Sequence, residues 1–356
     1  MFRPPRCPST HCIAHRDPES VEGEFFCRNG SYHPKCRAQP VPRFKCRFCR
    51  RGFSRQTFRM DYCDNKPHQN APLFRLLASG MGLRQSARIL ELSRRCTELK
   101  ARKISRHLGR LNRNLTDQFD TDARFMLDEM ETFEGQRAVL PVTVPVLIES
   151  RSMYVIATDV APIKPSGRMS KARREAIQRE EERSGPRQDR SALALGRVFR
   201  RFRFFCKDIR APQFWSDKKH LYCKLLRRYL GPDASHTKIS SKRKRDQTNP
   251  LRHINLTNAM ARDLSGRLRR ESWLVSKARR YLRLQLYVFA AYRNFIRRRV
   301  NAKQPTPAEL LGFLRRPARF EELLSWRQDW RWRSIHPLAR WQESIAEERG
   351  RVTTVA

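Results

Sequence analysis

The 356-residue sequence lacks any apolar run that approaches the ~20 residues of a transmembrane helix. It also lacks a recognisable signal peptide. Acidic residues are scarce, because only 35 Asp and Glu stand against 76 Lys and Arg. The length suffices for about two or three domains. We therefore expect a soluble, cytoplasmic protein with no membrane partner.

The excess of basic residues gives a formal net charge of +41, which predicts an extended polyanionic partner. Arginine dominates the basic residues, and its planar guanidinium suits phosphate. Nucleic acid is the first expectation, since neutralising phosphates releases counterions and gives affinity independent of sequence. An RNA-binding or ribosomal protein would carry the same charge, so charge alone does not choose between these classes.

The cysteines cluster, with seven of the ten in the first 63 residues. Disulfides are rare in the cytosol, so this clustering indicates a metal site. Cys7 and Cys12 form one close pair, and Cys46 and Cys49 form another. Two such pairs can place four thiolates around a tetrahedral Zn²⁺. The pattern predicts a zinc ribbon over residues 1–65.

The rest of this segment leaves alternatives open. Residues 25–32 indicate a strand that ends in an Asn-Gly turn. Cys27 and Cys36 could hold a second ion with His11 or His33, or could be unliganded thiols. A ribbon this small cannot build its own core, so a metal should supply most of its stability. The alternative for the whole segment is a disordered basic arm with free cysteines.

Residues 66–118 are predicted to be helical. Apolar spacing and end signals indicate one helix from Pro72, a second from Leu83 and a strongly basic third from Arg94, with Ser93 as its N-cap. A short turn followed by a basic helix is typical of a DNA-reading helix-turn-helix, although an ordinary helical hairpin has the same pattern. The side chains expected at DNA are Arg84, Arg94, Arg95 and Lys100.

Acidic residues concentrate at residues 125–134, where an apolar run is followed directly by an Asp-Glu pair that begins at Asp128. This pattern predicts a sheet strand that carries a carboxylate. Two β-branched segments, residues 137–149 and 152–159, read as the next strands. Residues 163–190 are charged and poor in apolar residues, and predict an exposed helix or a disordered insert.

A second acid, Asp217, ends a short strand that begins at Pro212. An aspartate just past a strand end is well placed to bind a metal; the alternative is a helix cap at residues 216–217. Residues 236–245 predict a basic loop that holds a DNA backbone. A helix through residue 268 then follows from Asn249. In this helix, Asn255, Asn258 and Arg262 are spaced three and four residues apart and share one face. The residues of the loop and the helix that we expect to contact DNA are Lys242, Arg243, Lys244, Arg245, Asn258 and Arg262.

With these pieces in this order, the chain resembles the transposases of bacterial insertion sequences. The resemblance covers about residues 7–315. It implies a multidomain α+β protein with a zinc ribbon (1–65), a helix-turn-helix domain (66–118), a ribonuclease H-like domain with a mixed sheet (119–300) and a helical tail (301–356). In the first two domains, the matching stretches are the four paired cysteines and residues 82–88. In the ribonuclease H-like domain they are residues 127–133, residues 216–217 with Tyr222, residues 254–258 with Arg262, residues 267–268, and Ser276 with Lys277. Lys277 is a further expected DNA contact.

In that family, two aspartates and usually a glutamate hold two Mg²⁺ ions for attack on a DNA phosphodiester. The resemblance implies that Asp128 and Asp217 are the first two ligands. The third falls thirty-eight positions after Asp217, at Asn255. It further implies Mg²⁺ or Mn²⁺ as the catalytic metal beside structural Zn²⁺, double-stranded DNA as partner, a homo-oligomer on DNA and a place at the bacterial nucleoid.

Asn255 leaves three readings open. An asparagine oxygen can ligate Mg²⁺ but brings no charge and cannot act as a base. The site could work as Asp-Asp-Asn, or another acid could substitute, although Asp263 lies about 12 Å further along the helix axis. Otherwise this copy is a non-catalytic DNA-binding regulator or a decayed transposase. The tryptophans of the tail could stack on bases or pack against the fold; they are Trp326, Trp330, Trp332 and Trp341.

Overall fold

The computed structural model describes residues 2–18, 20–34, 39–114, 123–136, 139–206, 209–269, 274–301 and 303–326. The chain forms two compact units. The first comprises residues up to Pro72 and those from Phe320 onwards, and the second runs from Leu73 to Arg319. The predicted division at residue 118 falls inside the second unit.

Groups of strands and groups of helices follow one another along the chain. None of the helices among the described residues is long and apolar enough to cross a bilayer. In chain order the elements are α1 (Ile13–Arg16), β1 (Phe26–Tyr32), β2 (Val41–Cys46), β3 (Gly52–Ser54), α2 (Asn70–Ala78), α3 (Leu83–Ile89), α4 (Arg94–Asn114), β4 (Arg124–Phe133), β5 (Pro141–Glu149), β6 (Val155–Thr158), β7 (Ala161–Pro162), α5 (Lys171–Ser184), α6 (Ser191–Phe205), β8 (Gln213–Asp217), α7 (His220–Leu230), β9 (Ser235–Ile239), α8 (Arg252–Asp263), α9 (Arg279–Phe295), α10 (Pro307–Leu310) and α11 (Phe320–Ser325).

The first unit contains a three-stranded antiparallel sheet in the order β1-β2-β3. The expected end of β1 at an Asn-Gly turn is wrong. The strand continues to Tyr32 through a register shift between Arg28 and Ser31, where Gly30 has a φ of +69°. A glycine takes this left-handed conformation without strain, so the chain bulges there instead of turning back. Phenylalanines fill the core beside this sheet, namely Phe25, Phe26, Phe44, Phe53 and Phe58.

The three predicted helices of residues 66–118 are confirmed as α2, α3 and α4. Ser93 caps α4 as expected, because its Oγ accepts the N–H of Cys96 at 3.2 Å. One stripe of α4 is buried, which fits an amphipathic helix. That stripe contains Thr97, Ala101, Ile104, Leu108 and Leu111.

The second unit contains the predicted mixed sheet, in the order β6-β5-β4-β8-β9 with β7 paired to β5. Strands β4, β5 and β6 are antiparallel, whereas β4, β8 and β9 are parallel. The prediction of a loop from residue 236 is wrong, since β9 occupies its start. Only Ile239 of β9 is buried, so an edge strand of polar residues looks like a loop in the sequence. Helix α8 also ends at Asp263, before the expected residue 268.

Helices cover both faces of this sheet, and alternation along β4 assigns its side chains to one face or the other. Met126 and Met130 join the core formed with α8 and α9. Phe125 lies on the opposite face against Phe202 of α6, with ring centroids 4.6 Å apart. The charged insert is an exposed helix, as predicted, because α5 buries none of its side chains.

The tail is helical where it is described. Thr306 and Glu309 form a capping box at α10, with Thr306 N donating to Glu309 Oε2 at 2.7 Å. Trp326 is buried, which favours packing over base stacking at that position. The remaining tail tryptophans and Cys36 lie outside the described residues.

A buried amide network joins α4 and α9 to the strand β6. Asn294 Oδ1 accepts Val155 N at 2.7 Å, and Asn294 Nδ2 donates to Val155 O at 2.9 Å and to Asn112 Oδ1 at 2.7 Å. Tyr154 also donates to Asn112. Buried polar groups of this kind are stabilising only while every partner is present.

We expect Asn294→Ala to lower the free energy of unfolding by about 2 kcal/mol, because it leaves the buried Val155 N–H without an acceptor and removes one donor each from Val155 O and Asn112 Oδ1. Amide hydrogen exchange of β6 measures this change in the correct unit. Gln247→Ala, in an exposed loop, is the matched control and should change stability by less than about 0.5 kcal/mol. Equal exchange rates in the two variants would contradict a stabilising role for the network.

Candidate functional site

The four paired cysteines come together in the first unit. Their Sγ atoms all lie within 4.8 Å of one another. Cys7 Sγ is 3.5 Å from Cys49 Sγ, and Cys12 Sγ is 3.7 Å from Cys46 Sγ. Four sulfurs around a tetrahedral Zn²⁺ would be about 3.8 Å apart. The cluster can therefore hold a metal ion such as zinc.

Local hydrogen bonds shape this cluster. The N–H of Ser9 points to Cys7 Sγ at 3.4 Å, and His15 Nδ1 lies 2.6 Å from Cys7 O. Burial raises the pKa of the Cys7 and Cys12 thiols. Thiolates at these positions consequently need a cation to be stable.

The other predicted ligands do not extend the cluster. Cys27 is exposed on β1, and its Sγ lies 3.6 Å from Lys45 O. Neither His11 nor His33 joins a metal-binding group within the described part of the chain. A second ion involving Cys36 stays a prediction.

We expect Cys46→Ser to reduce bound zinc to well below one ion per chain, because a buried tetrahedral site loses one of its four sulfurs. The first unit should then lose amide protection, since metal binding supplies roughly 10–16 kcal/mol in comparable zinc peptides. Metal analysis and hydrogen exchange measure the two effects. Cys27→Ser is the matched control and should keep its zinc. Equal zinc in both variants would contradict the site.

Two acids lie side by side on one face of the large sheet. Strands β4 and β8 are parallel, with Met126 opposite Trp215. Asp128 and Asp217 each follow two positions later, so both point to the face covered by α8. The two carboxylates are close enough for the charge of Asp217 to act on Asp128.

The surroundings of Asp128 perturb its carboxyl. Burial raises its pKa to about 6, although the N–H of Glu129 donates to Oδ1 at 2.8 Å and lowers it. The charges of Asp217 and Glu129 raise the pKa further, and Arg245 lowers it. Carboxyls with shifted pKa values cluster at functional sites.

Asn258, rather than Asn255, contacts the first acid. Asn258 Nδ2 donates to Asp128 Oδ2 at 2.8 Å. Its Oδ1 is buried and has no hydrogen-bond partner within the described residues, although such an orphan costs about 1–3 kcal/mol. Asn255 is half-buried one helical turn earlier, and its side chain makes no hydrogen bond among the described residues. Asn255 as the third ligand stays a prediction, and Asn258 is a second candidate about one turn further along the same helix.

Glu129 belongs to the opposite face and to a different role. Its carboxylate accepts bonds from Thr143 at 2.8 Å, Tyr222 at 2.9 Å and Lys219 at 2.5 Å. These three donors link β4 to β5 and to the start of α7. Glu129 is thus fully used in holding the sheet to its helix, as the alternation along β4 predicts.

Two acids that join distant elements of this unit are paired with cations. Glu134 binds both Arg187 and Arg279, and Asp159 binds Arg283 at 2.8 Å. Neither Asp128 nor Asp217 makes an ion pair with a described residue. In a chain with 76 Lys and Arg, two neighbouring acids without cationic partners indicate a site for something else.

The predicted DNA contacts divide by exposure. Lys100 is only 3% exposed. It lies on the buried side of α4 and is therefore not accessible to DNA. Asn258 is buried on Asp128 and is likewise not a surface contact, and Arg262 is half-buried. The exposed members are Arg84, Arg94, Arg95, Lys242, Arg243, Lys244, Arg245 and Lys277.

The basic loop at residues 242–245 is held in place by Asn249. Its Nδ2 donates to Lys244 O at 2.7 Å, while its Oδ1 accepts Leu251 N at 2.8 Å. The sequence predicts Asn249 only as the start of a helix and not as the residue that holds this loop.

Comparison of the sequence with protein-family models and with curated proteins finds no match.

We expect Asp128→Asn to make the second unit more stable at pH 8, by about 1–3 kcal/mol. The folded-state pKa, about 6, lies above the usual 3.8. The wild-type fold therefore loses stability as pH rises from about 4 to 6 and stays at the lower level above that, and the variant escapes this loss. Hydrogen exchange of β4 amides at pH 8 and pH 5 measures it.

The matched control for this experiment is Glu129→Gln, one position along the same strand. It weakens three hydrogen bonds and should lower stability at pH 8. A less stable Asp128→Asn variant at pH 8 would contradict the strained state of the Asp128 carboxylate.

Proposed function

We propose that this protein is a metal-dependent phosphoryl-transfer enzyme that acts on double-stranded DNA, like the insertion-sequence transposases that its sequence resembles. The observation that carries the proposal is the pair Asp128 and Asp217. The two acids are neighbours on one sheet face, lack ion-pair partners among the described residues and belong to a chain of net charge +41. Such a pair suits a divalent cation.

The donor set fits a hard cation. Carboxylate oxygens of Asp128 and Asp217, with the orphan Oδ1 of Asn258, offer the oxygen ligands that Mg²⁺ and Mn²⁺ prefer. When bound there, such a cation supplies an activated nucleophile and stabilises the leaving oxygen of a phosphodiester. It also offsets the repulsion between the two carboxylates.

The chain's own residues bind and orient the substrate. Arg245 lies near enough to Asp128 to lower its pKa, so its guanidinium can hold a DNA phosphate beside the acids. The exposed residues Lys242, Arg243 and Lys244 extend that contact along the backbone. Asn258 fixes the orientation of the Asp128 carboxylate.

The helices of residues 70–114 and the cysteine cluster support DNA recognition. Arg84, Arg94 and Arg95 are exposed at α3 and at the capped start of α4. The start of a basic helix after a short turn can enter a major groove. Pairing the two ends of a mobile element requires at least two protomers, so the proposal includes a homo-oligomer on DNA.

One observation favours a second function. The third position at the acidic pair is an amide, Asn258, which brings no negative charge and cannot accept a proton as a base. A protein that binds DNA but no longer cuts it, a regulator or a decayed transposase, would tolerate that residue equally well.

We expect the purified chain to nick a supercoiled plasmid that carries the DNA flanking its coding region, in Mg²⁺ or Mn²⁺. Asp128→Asn and Asp217→Asn should reduce nicking to background, because each removes a charged oxygen ligand. Glu131→Gln, exposed on the same strand, is the matched control and should nick normally. Asn258→Ala should lose most of the activity, and Asn255→Ala should keep it.

Each remaining outcome decides between the candidates. Equal nicking by the wild type and both aspartate variants would sink the catalytic assignment. Tight DNA binding without nicking in either metal would favour the non-catalytic protein. In that case, restored nicking by Asn258→Asp would identify the amide as the lost third ligand.

A further inference from the structure

Helices α4 and α9 enclose a groove of about 390 Å³ that is lined mainly by arginines. Two tyrosines, Tyr281 and Tyr287, contribute to its wall, and no Asp or Glu lines it among the residues that the structure describes. We call it the arginine groove. Its six arginines are Arg102, Arg106, Arg110, Arg113, Arg280 and Arg283.

The arginines of α4 form a regular row. Arg102, Arg106 and Arg110 follow one another at intervals of four residues, so each lies about 6 Å further along the helix. With Arg113 the row is about 16 Å long, which matches about five nucleotides of a DNA strand at 3.4 Å per step. Regular spacing of this kind suits a repeating polyanion better than a small ligand.

Two of the guanidiniums are pre-organised around an aromatic ring. Arg102 lies 5.3 Å and Arg280 lies 4.9 Å from the centroid of the Tyr281 ring. Arg102 also pairs with Glu98 at 2.6 Å, and Tyr281 OH donates to Glu98 at 3.0 Å. Ordered guanidiniums lose less entropy when they bind phosphate.

At the other side, Asp159 holds Arg283 at 2.8 Å. Tyr287 lies flat on α4, since a Cβ added to Gly109 would come within 2.8 Å of its ring. Glycine at position 109 therefore lets the helices approach and fixes the floor of the groove.

Like charge is concentrated at the Arg113 end of the row. Burial lowers the pKa of Arg113, and the positive charges of Arg201 and Arg110 lower it further. An anion bound beside these guanidiniums would reduce the repulsion between them.

We propose that the arginine groove binds the phosphate backbone of duplex DNA, as a contact separate from the acidic pair and from the start of α4. Its choice of DNA as the polyanion rests on the proposed function. Guanidiniums that approach a strand in a row bind phosphates without reading sequence, so the groove should add affinity rather than specificity.

The test measures the salt dependence of binding to a short random-sequence duplex, without added Mg²⁺ or Mn²⁺. We expect the double variant Arg106→Gln with Arg110→Gln to reduce the slope of log affinity against log salt by about 1.8, because each lost phosphate contact removes about 0.9. The double variant Arg174→Gln with Arg179→Gln removes the same charge from the exposed face of α5 and should leave the slope unchanged.

A charge-preserving pair, Arg106→Lys with Arg110→Lys, should keep nearly the wild-type slope, which separates lost phosphate contacts from a folding defect. An unchanged slope in the glutamine pair would overturn the inference, as would equal loss in the α5 control. A slope that falls only with duplex RNA would overturn the choice of DNA. Nicking plays no part in this readout, so absent nicking with a reduced slope would refute the proposed function and leave the groove supported.

Discussion

The alternation of side chains along β4 is the constraint on which the candidate site depends. This strand is central in the mixed sheet and is covered on both faces, so adjacent residues meet different layers. Glu129 receives three donors and joins the sheet to α7. Asp128, one residue earlier, accepts hydrogen bonds from the Glu129 N–H and from Asn258, and lies near the charge of Asp217. One carboxylate thus holds the sheet to a helix on one face, while the other belongs to the candidate site on the opposite face.

Scarcity of acids makes this contrast informative. In a chain with 35 acids and 76 basic residues, some acids of the second unit join distant elements by pairing with arginines. Glu134 and Asp159 each hold two arginines from distant parts of the sequence, and these pairs join elements that would otherwise repel. Asp128, in the middle of β4, and Asp217, at the end of β8, make no such pair among the described residues. Their position next to each other on the sheet face covered by α8 is the physical reason to assign them to a ligand.

Much of the fold follows from periodicity in the sequence, and the failures have physical causes. Apolar spacing and a cap predicted α4, an apolar run that leads to an Asp-Glu pair predicted β4, and β-branched runs predicted β5 and β6. Strand β9 was not predicted, because an edge strand with one buried residue has no alternating apolar pattern in its sequence. The sequence predicts Asn258 as a DNA contact but not its hydrogen bond to Asp128, because spacing assigns a residue to a helix and not to the turn that meets a strand. The cysteine cluster was predictable from pairs alone. The arginine groove was not, since its two walls are about 170 residues apart in the chain and only packing of α4 on α9 joins them.

An amide at the third position has a consequence for the charge balance of the site. Asp128 already has a pKa of about 6 because of its burial and its acidic neighbours. A third carboxylate would raise that pKa further and leave the metal-free site more strained. Asn258 avoids this repulsion but also gives a divalent cation less to bind. The electrostatic field of the whole protein then has a larger effect on metal binding. A protein of net charge +41 repels free cations and attracts phosphates. A DNA phosphate that arrives beside Arg245 adds the missing negative charge, so the proposed metal would bind tightly only together with DNA.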